Sequence, residues 1–238
     1  MEAEAAKDDK AAKRYDDRLG FLTPILKGFL TERGIEAASM GMQVYGGHGY
    51  ILENKQEQIA RDVRIAALWE GTTGIQALDL LGRKIMLSKL VPINQHCARL
   101  RGDAIAAIRS GATKAVRAHG FTLLRHALEW QMATYRVAGR ASRNKDAIGV
   151  ASYDYLMYAG YITMGQHWLK MELAAAAALA AGSKAPLPRE FYEAKARTAA
   201  FYFDHVLPRT SSHKISMFTP IDSVMGLSDK HFSFDHAL

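Results

Sequence analysis

The chain holds one cysteine in 238 residues, Cys97, which excludes an internal disulfide and makes a reducing cytoplasm the expected location. It also lacks a long hydrophobic run. The longest purely apolar stretch is the nine residues from Leu173 to Ala181, and eleven of the first twenty residues are charged. Neither pattern suits a membrane span or a secretory leader, so the expectation is a chain that is neither exported nor integral to a membrane. Sustained period-two alternation and turn-punctuated runs of Val, Ile and Thr are missing, which excludes a sheet. There is no P-loop, no G-x-S-x-G, no H-E-x-x-H and no C-x-x-C, and the nine histidines show no ligand spacing. Metal catalysis is not expected.

Of the residues present, 49% are apolar and 23% charged, an ordinary globular balance. Folding at this length removes roughly 70–75% of the extended chain's surface from water, so the core needs no cross-link or metal. The net charge of +7 is uneven: residues 1–97 carry 13 basic and 13 acidic side chains, whereas residues 98–238 carry 18 and 11. Arg99, Arg101, Arg109, Lys114, Arg117 and Arg125 are spaced like solvated helix positions, without the interleaved aromatics of a nucleic-acid groove. A nucleic-acid role is therefore not favoured. Attraction to anionic substrates fits the same charge.

Helical spacing runs through nearly the whole sequence and predicts an all-α fold. Residues 1–17 read as a charged tail or frayed helix. Thr23-Pro24 reads as a cap followed by an N-terminal proline. The helix it opens would place Leu22, Ile25, Leu26, Phe29 and Leu30 on one face and run to about Met42. A tight glycine loop follows at Tyr45–Tyr50, then a short helix from Ile59 to Ala67 and a turn at Trp69–Thr72. A helix from Thr73 would put Ile75, Leu78, Leu81, Ile85 and Met86 together and end at Pro92. Beyond Pro92 the composition shifts to alanine and arginine, which predicts a second helical domain over residues 93–238. Its helices would cover about Ala98–His119, Phe121–Arg143, Asp146–Ala181 and Pro188–Leu207, broken at Gly120, Asn144-Lys145 and Gly182-Ser183. The last thirty residues read as an irregular tail with one short helix at Ile221–Leu227.

Tyr153, Tyr155, Tyr158, Tyr161 and Trp168 recur near helical spacing and read as packing; His48 reads as a loop residue. The Gly46-Gly47-His48-Gly49 loop follows a helix and lacks the third glycine of a dinucleotide turn. Glu70 stands apart. It follows Ile65-Ala66-Ala67-Leu68-Trp69 and precedes Gly71 at the mouth of a helix. A carboxylate losing hydration among such neighbours gains basicity, the property a proton-transferring residue needs. Gly71 lets a ligand lie against the backbone, and Thr72 with the next amides offers donors to a phosphate. Taken alone, Glu70 also reads as a plain helix-capping acid.

The segments Gln43-Val44-Tyr45-Gly46-Gly47-His48-Gly49-Tyr50, Arg61-Asp62-Val63-Arg64-Ile65 and Trp69-Glu70-Gly71-Thr72-Thr73-Gly74-Ile75-Gln76 together resemble the C-terminal helical domain of the acyl-CoA dehydrogenases. The resemblance covers roughly residues 18–90, within a partial domain bounded at 18–92. Residues 95–238 resemble the helical C-terminal extension of the subgroup that includes methylthiopropanoyl-CoA dehydrogenase. It implies that Glu70 is the base that removes the α-proton of an acyl-CoA thioester while the β-hydrogen leaves as hydride to FAD, giving a trans-2-enoyl-CoA. It implies further that Gly71 lines the thioester, and that Gln43, Val44, Tyr45, Gly46, Gly47, Thr72 and Gly74 are cofactor-binding positions. Of these, Gln43, Gly46 and Gly47 would hold the adenosine side of a neighbouring subunit's FAD. A dimer or larger homo-oligomer, or a complementing N-terminal polypeptide, is implied, as is an electron acceptor such as an electron-transfer flavoprotein. Two positions depart from the pattern: Trp69 stands where tyrosine is usual, and Gly74 where many members have glutamine. The family's N-terminal and β-domains have no counterpart in this sequence, so the chain reads as the back portion of a longer enzyme that needs those domains for activity. The other expectation is a non-catalytic helical oligomerisation module derived from that family.

Overall fold

A computed structural model describes residues 9–182 and 185–232. Of the predicted tail over residues 1–17, residues 1–8 lie outside them and the rest is helical; Ser183 in the predicted break and residues 233–238 of the predicted irregular tail also lie outside them. Among the described residues the fold is helical with no strand, as the periodicity predicts. No described helix is long and apolar enough to cross a membrane.

Helix α1 covers Asp9–Tyr45. Pro24 lies within it and does not open it, a correction to the predicted start. Proline removes one amide donor from the ladder, and the helix continues through that gap, with the Thr23 hydroxyl donating to the Leu19 carbonyl at 2.8 Å. The buried stripe is Phe21, Ile25 and Phe29, one residue per turn, while Leu26 and Leu30 face outward. Two 3-10 turns, Gly46–Gly49 and Leu52–Asn54, lead into α2, Gln56–Ile65, which starts and stops earlier than predicted. Helix α3, Thr73–Leu78, passes directly into a π-type segment, Asp79–Leu87. That widened turn shifts the buried side to Ala77, Leu80, Leu81 and Ile85 and leaves Ile75 and Leu78 exposed. The segment closes with positive φ at Lys89 and Leu90. Pro92 then occupies the first turn of the next helix instead of ending the last one.

Helix α4 covers Val91–Arg109 and α5 covers Lys114–Ala141. The break falls at Gly111, with φ 67°, and Thr113 caps α5 by accepting from the Val116 amide at 3.1 Å. Gly120 is no break. A Cβ there would sit 2.8 Å from Ile108 Cγ1 and 3.1 Å from the Ala104 carbonyl, so glycine lets α4 and α5 approach. Helix α6, Asp146–Ala181, has its predicted bounds. It is apolar around its circumference, which is the pattern of a helix surrounded by others, and it packs against α1, α3, α4 and α5. Helix α7, Arg189–Phe201, leads through a π-type segment, Tyr202–Val206, and a 3-10 turn, Leu207–Arg209, into α8, Thr210–Ser216. Helix α8 corrects the predicted irregular tail. Its apolar positions are too few for a periodic signal, and it is held by α6 instead. A final short helix, α9, spans Asp222–Met225.

Tyr155, Tyr158 and Tyr161 are buried core residues; Tyr153 is exposed. Trp130 donates to the Tyr155 hydroxyl at 2.9 Å, and Thr134 shares a 2.6 Å hydrogen bond with that hydroxyl. The polar tips of Trp130 and Tyr155 are thereby satisfied without water. The core runs without interruption from Phe21 on α1 to Met217 after α8, across the predicted boundary at residues 92/93. Glycines set the closest approach: a Cβ at Gly160 would fall 2.1 Å from Phe29 Cγ, and one at Gly28 would fall 2.5 Å from Leu156 Cδ2. Helices α1 and α6 thus meet backbone to side chain, and α6 fixes the helix from which the Glu70 turn hangs.

Candidate active site

Glu70 lies in the turn between α2 and α3, in left-handed conformation at φ 54°, followed by Gly71 at φ 97°. For a residue with a Cβ this conformation costs about 1 kcal/mol or more, and the surroundings hold it. Lys27, on α1, donates from its ammonium to the Ala66 carbonyl at 2.8 Å and the Gly71 carbonyl at 2.7 Å. The Gln76 side-chain amide donates to the Glu70 carbonyl at 3.3 Å. The Thr73 hydroxyl donates to Glu32 on α1 at 2.6 Å. The turn is pinned at both ends to one helix.

The arrangement leaves donors free. Among the described residues the backbone amides of Glu70, Gly71 and Thr72 have no acceptor. Thr72 precedes α3 and makes no side-chain cap of its own. The Glu70 side chain is exposed, as are Ile65, Leu68, Trp69, Ile75 and Leu78 around it. This corrects the expectation of a dehydrated niche. The apolar neighbours are present, but they face solvent with Glu70 instead of closing over it, so this chain alone does not remove the carboxylate from water.

Gln43, Val44, Tyr45, Gly46 and Gly47 are all exposed at the end of α1. Gly46 has φ 61°, and nothing lies within 4 Å of a Cβ placed on Gly46 or Gly47. The backbone there is bare on its outer side, a shape that fits close approach by a planar or phosphorylated ligand. Asn54 donates to the His48 carbonyl at 2.7 Å and Gly49 packs against Met42, so the loop is fixed from within. His48 is exposed. Gly74 is exposed with open space at its Cβ position. The two groups of residues do not share a cleft. At 1.5 Å per residue, the rise along α1 from Lys27, beneath the Glu70 turn, to Gln43 is roughly 24 Å.

Lys27, Glu32 and Thr73 were not among the residues the sequence singled out. A lysine inside the apolar run Pro24-Ile25-Leu26-Lys27-Gly28-Phe29-Leu30 is the signal that points to a buried task.

Residues 93–228 match the family described as Acetyl-CoA dehydrogenase C-terminal like, and residues 2–86 match Acyl-CoA dehydrogenase, C-terminal domain. The chain belongs to the acyl-CoA dehydrogenase family, in its C-terminal helical portion. Among its curated relatives, 3-methylmercaptopropionyl-CoA dehydrogenase of Ruegeria pomeroyi is 34% identical over 87% of this chain and 34% of the relative. The broad-specificity linear acyl-CoA dehydrogenase FadE5 of Mycobacterium tuberculosis is 29% identical over 94% of this chain and 37% of the relative. A butyryl-CoA dehydrogenase of Syntrophomonas wolfei is 29% identical over 85% and 33%. The chain thus spans about a third of the length of these relatives.

Proposed function

We propose that the chain is the C-terminal portion of an FAD-dependent acyl-CoA dehydrogenase that introduces a trans-2 double bond into an acyl-CoA thioester. The observation that carries this reading is the Glu70 turn: an unpartnered carboxylate and three unpartnered amides on a strained loop that α1 holds in place. The Glu70 carboxylate takes the α-proton. The Glu70 amide donates to the thioester carbonyl, where negative charge grows as the proton leaves; a fixed donor at that oxygen lowers the barrier. Gly71 leaves space for the thioester against the backbone. FAD, when bound, supplies the acceptor for the β-hydride. Thr72 and Gly74 would contact it beside the base. Gln43, Val44, Tyr45, Gly46 and Gly47 would hold the adenosine end of an FAD bound mainly by another subunit, and the separation along α1 suits contacts to two different flavins.

The exposed apolar collar of Ile65, Leu68, Trp69 and Ile75 is the surface where the flavin and the missing domains would exclude water from Glu70 and so raise its basicity. Completion by those domains, as one chain or a second polypeptide in a dimer or larger oligomer, is part of the reading, as are a cytoplasmic setting and re-oxidation by an electron-transfer flavoprotein. The similarity to 3-methylmercaptopropionyl-CoA dehydrogenase and to butyryl-CoA dehydrogenases favours short acyl groups. The test is to purify the chain together with the completing N-terminal and β-domains, add FAD and butyryl-CoA and follow flavin absorbance. Bleaching by substrate that disappears in Glu70→Gln supports the enzyme. Absence of bound flavin at micromolar concentration supports the second reading, a non-catalytic oligomerisation module, which the self-contained core favours.

A further inference from the structure

A cavity of about 450 Å3 opens between α1, α6 and the π-type segment Tyr202–Val206, within the range of small-molecule pockets, about 300–1,000 Å3. Helix α1 turns about 100° per residue, so Phe29, Arg33, Glu36 and Met40, which line the cavity, project on the opposite side of the helix from Lys27 and the Glu70 turn. The wall is mostly carbon. Met164, Trp168, Tyr202 and Val206 are at least partly buried in it, and Trp168 stacks on Tyr202 with ring centroids 6.2 Å apart. The Tyr202 hydroxyl is taken up by the Tyr161 carbonyl at 2.7 Å, so the ring adds only apolar surface. Met40 and Phe201, which also line the cavity, are more than half exposed. Methionine side chains adapt their shape to what lies against them. One edge is charged. Glu36 accepts from Arg33 through one carboxylate oxygen and from Arg209 through the other, the latter at 2.7 Å. Two guanidiniums thus share one carboxylate, and the edge keeps a net positive charge. Arg33 also donates to the Tyr161 hydroxyl at 2.9 Å, whereas Arg209 is exposed. A guanidinium carries five N–H donors in a fork that fits a carboxylate, and Glu36 uses one terminal nitrogen of Arg209. Beyond the arginines and His205 the lining offers no cation, so a single negative charge is matched, not several.

We propose that this cavity binds a small monocarboxylate with an aliphatic tail, the carboxylate on Arg209 and the tail among Met40, Met164 and Trp168. Its chemistry depends on neither the Glu70 carboxylate nor bound flavin. The test is an NMR titration of the purified chain, carrying 13C in its methionine methyl groups, with octanoate, butyrate, 1-octanol and octylammonium. The Met40 and Met164 resonances should shift saturably with octanoate, with Kd below about 1 mM, while the resonance of Met225, outside the cavity, stays in place. Each buried methylene strengthens binding about fourfold, so octanoate should bind at least about tenfold more tightly than butyrate. Its charge should place it ahead of octanol and octylammonium as well. Arg209→Gln removes the anchoring donor and Ala37→Glu sets a second carboxylate at an exposed position of the lining; each should weaken octanoate at least about fivefold, with no change in the exposed control Arg197→Gln. The methyl spectrum of each variant shows in the same experiment that the fold is kept. Absence of a saturable shift at Met40 and Met164, octanol or octylammonium binding as tightly as octanoate, or equal affinity in both variants would each overturn the proposal. So would Met40 and Met164 resonances that move with protein concentration alone, the mark of a second copy covering the cavity.

Discussion

Replacing Lys27 by methionine keeps most of the side chain's volume and removes the ammonium that ties Ala66 and Gly71 to α1. Both contacts are short, 2.8 and 2.7 Å, and both involve a charged donor. Hydrogen bonds to charged groups contribute about 1.5–3 kcal/mol each, but one ammonium serves both carbonyls and water reaches part of the site, so about 2 kcal/mol is the net expectation. For a chain of this length each kcal/mol shifts the melting temperature by about 2–4 °C, which predicts a fall of about 4–8 °C. Circular dichroism on heating measures it. The loss should also be local: the Leu68 and Trp69 amides, which both donate to the Ile65 carbonyl at 2.9 Å, should exchange with deuterium faster, while core amides of α6 respond only through the global change. A Lys27→Met protein melting within about 1 °C of the parent, or one in which Leu68 and Trp69 exchange as before, would refute the claim that this lysine anchors the turn.

Gly160→Ala should cost about 1–3 kcal/mol in urea denaturation, because the new methyl meets Phe29 at a distance no real contact reaches; Phe29→Leu in the same chain should recover part of the loss. Glu172→Ala strips the buried His119 ring of its 2.7 Å partner and should cost about 3 kcal/mol in the same assay. Burial holds His96 down to about 3 and His126 to about 4, against an ordinary 6.5. Below pH 6.5 the unfolded chain therefore binds more protons than the folded one, so the contribution is complete above that pH and is lost as pH falls toward 4 and then 3. His96→Gln should flatten the stability profile over that interval by about one proton.

The legible part of the fold is its class and the bounds of its central helix. Asp146–Ala181 could be read to the residue because its apolar character is continuous and both ends carry break signals. The errors share a cause. Pro24, Gly120 and Pro92 read as punctuation in the sequence, whereas Pro24 and Gly120 lie inside helices and Pro92 sits in the first turn of one. A local rule for proline or glycine does not know whether a neighbouring helix supports the backbone on either side. The shifted stripe after Ile75 follows from the π-type segment at Asp79–Leu87, which breaks the 3.6-residue period used to find it. At the site, the residues that give the Glu70 turn its chemistry were visible as a pattern, but its exposure was not. The apolar run before Glu70 describes which side chains are nearby and is silent on which way they point. Lys27, more than forty residues from Gly71 in sequence, became visible as the anchor only once α1 lay beneath the turn.

The seam at Gly28 and Gly160 has a further consequence. Because helices of the two family-matched regions interlock there through missing methyl groups, neither part should come away as a detachable cassette. Swapping the extension for that of a relative would require recutting both sides of the seam, and damage deep in the second half should be felt as slackness under Glu70.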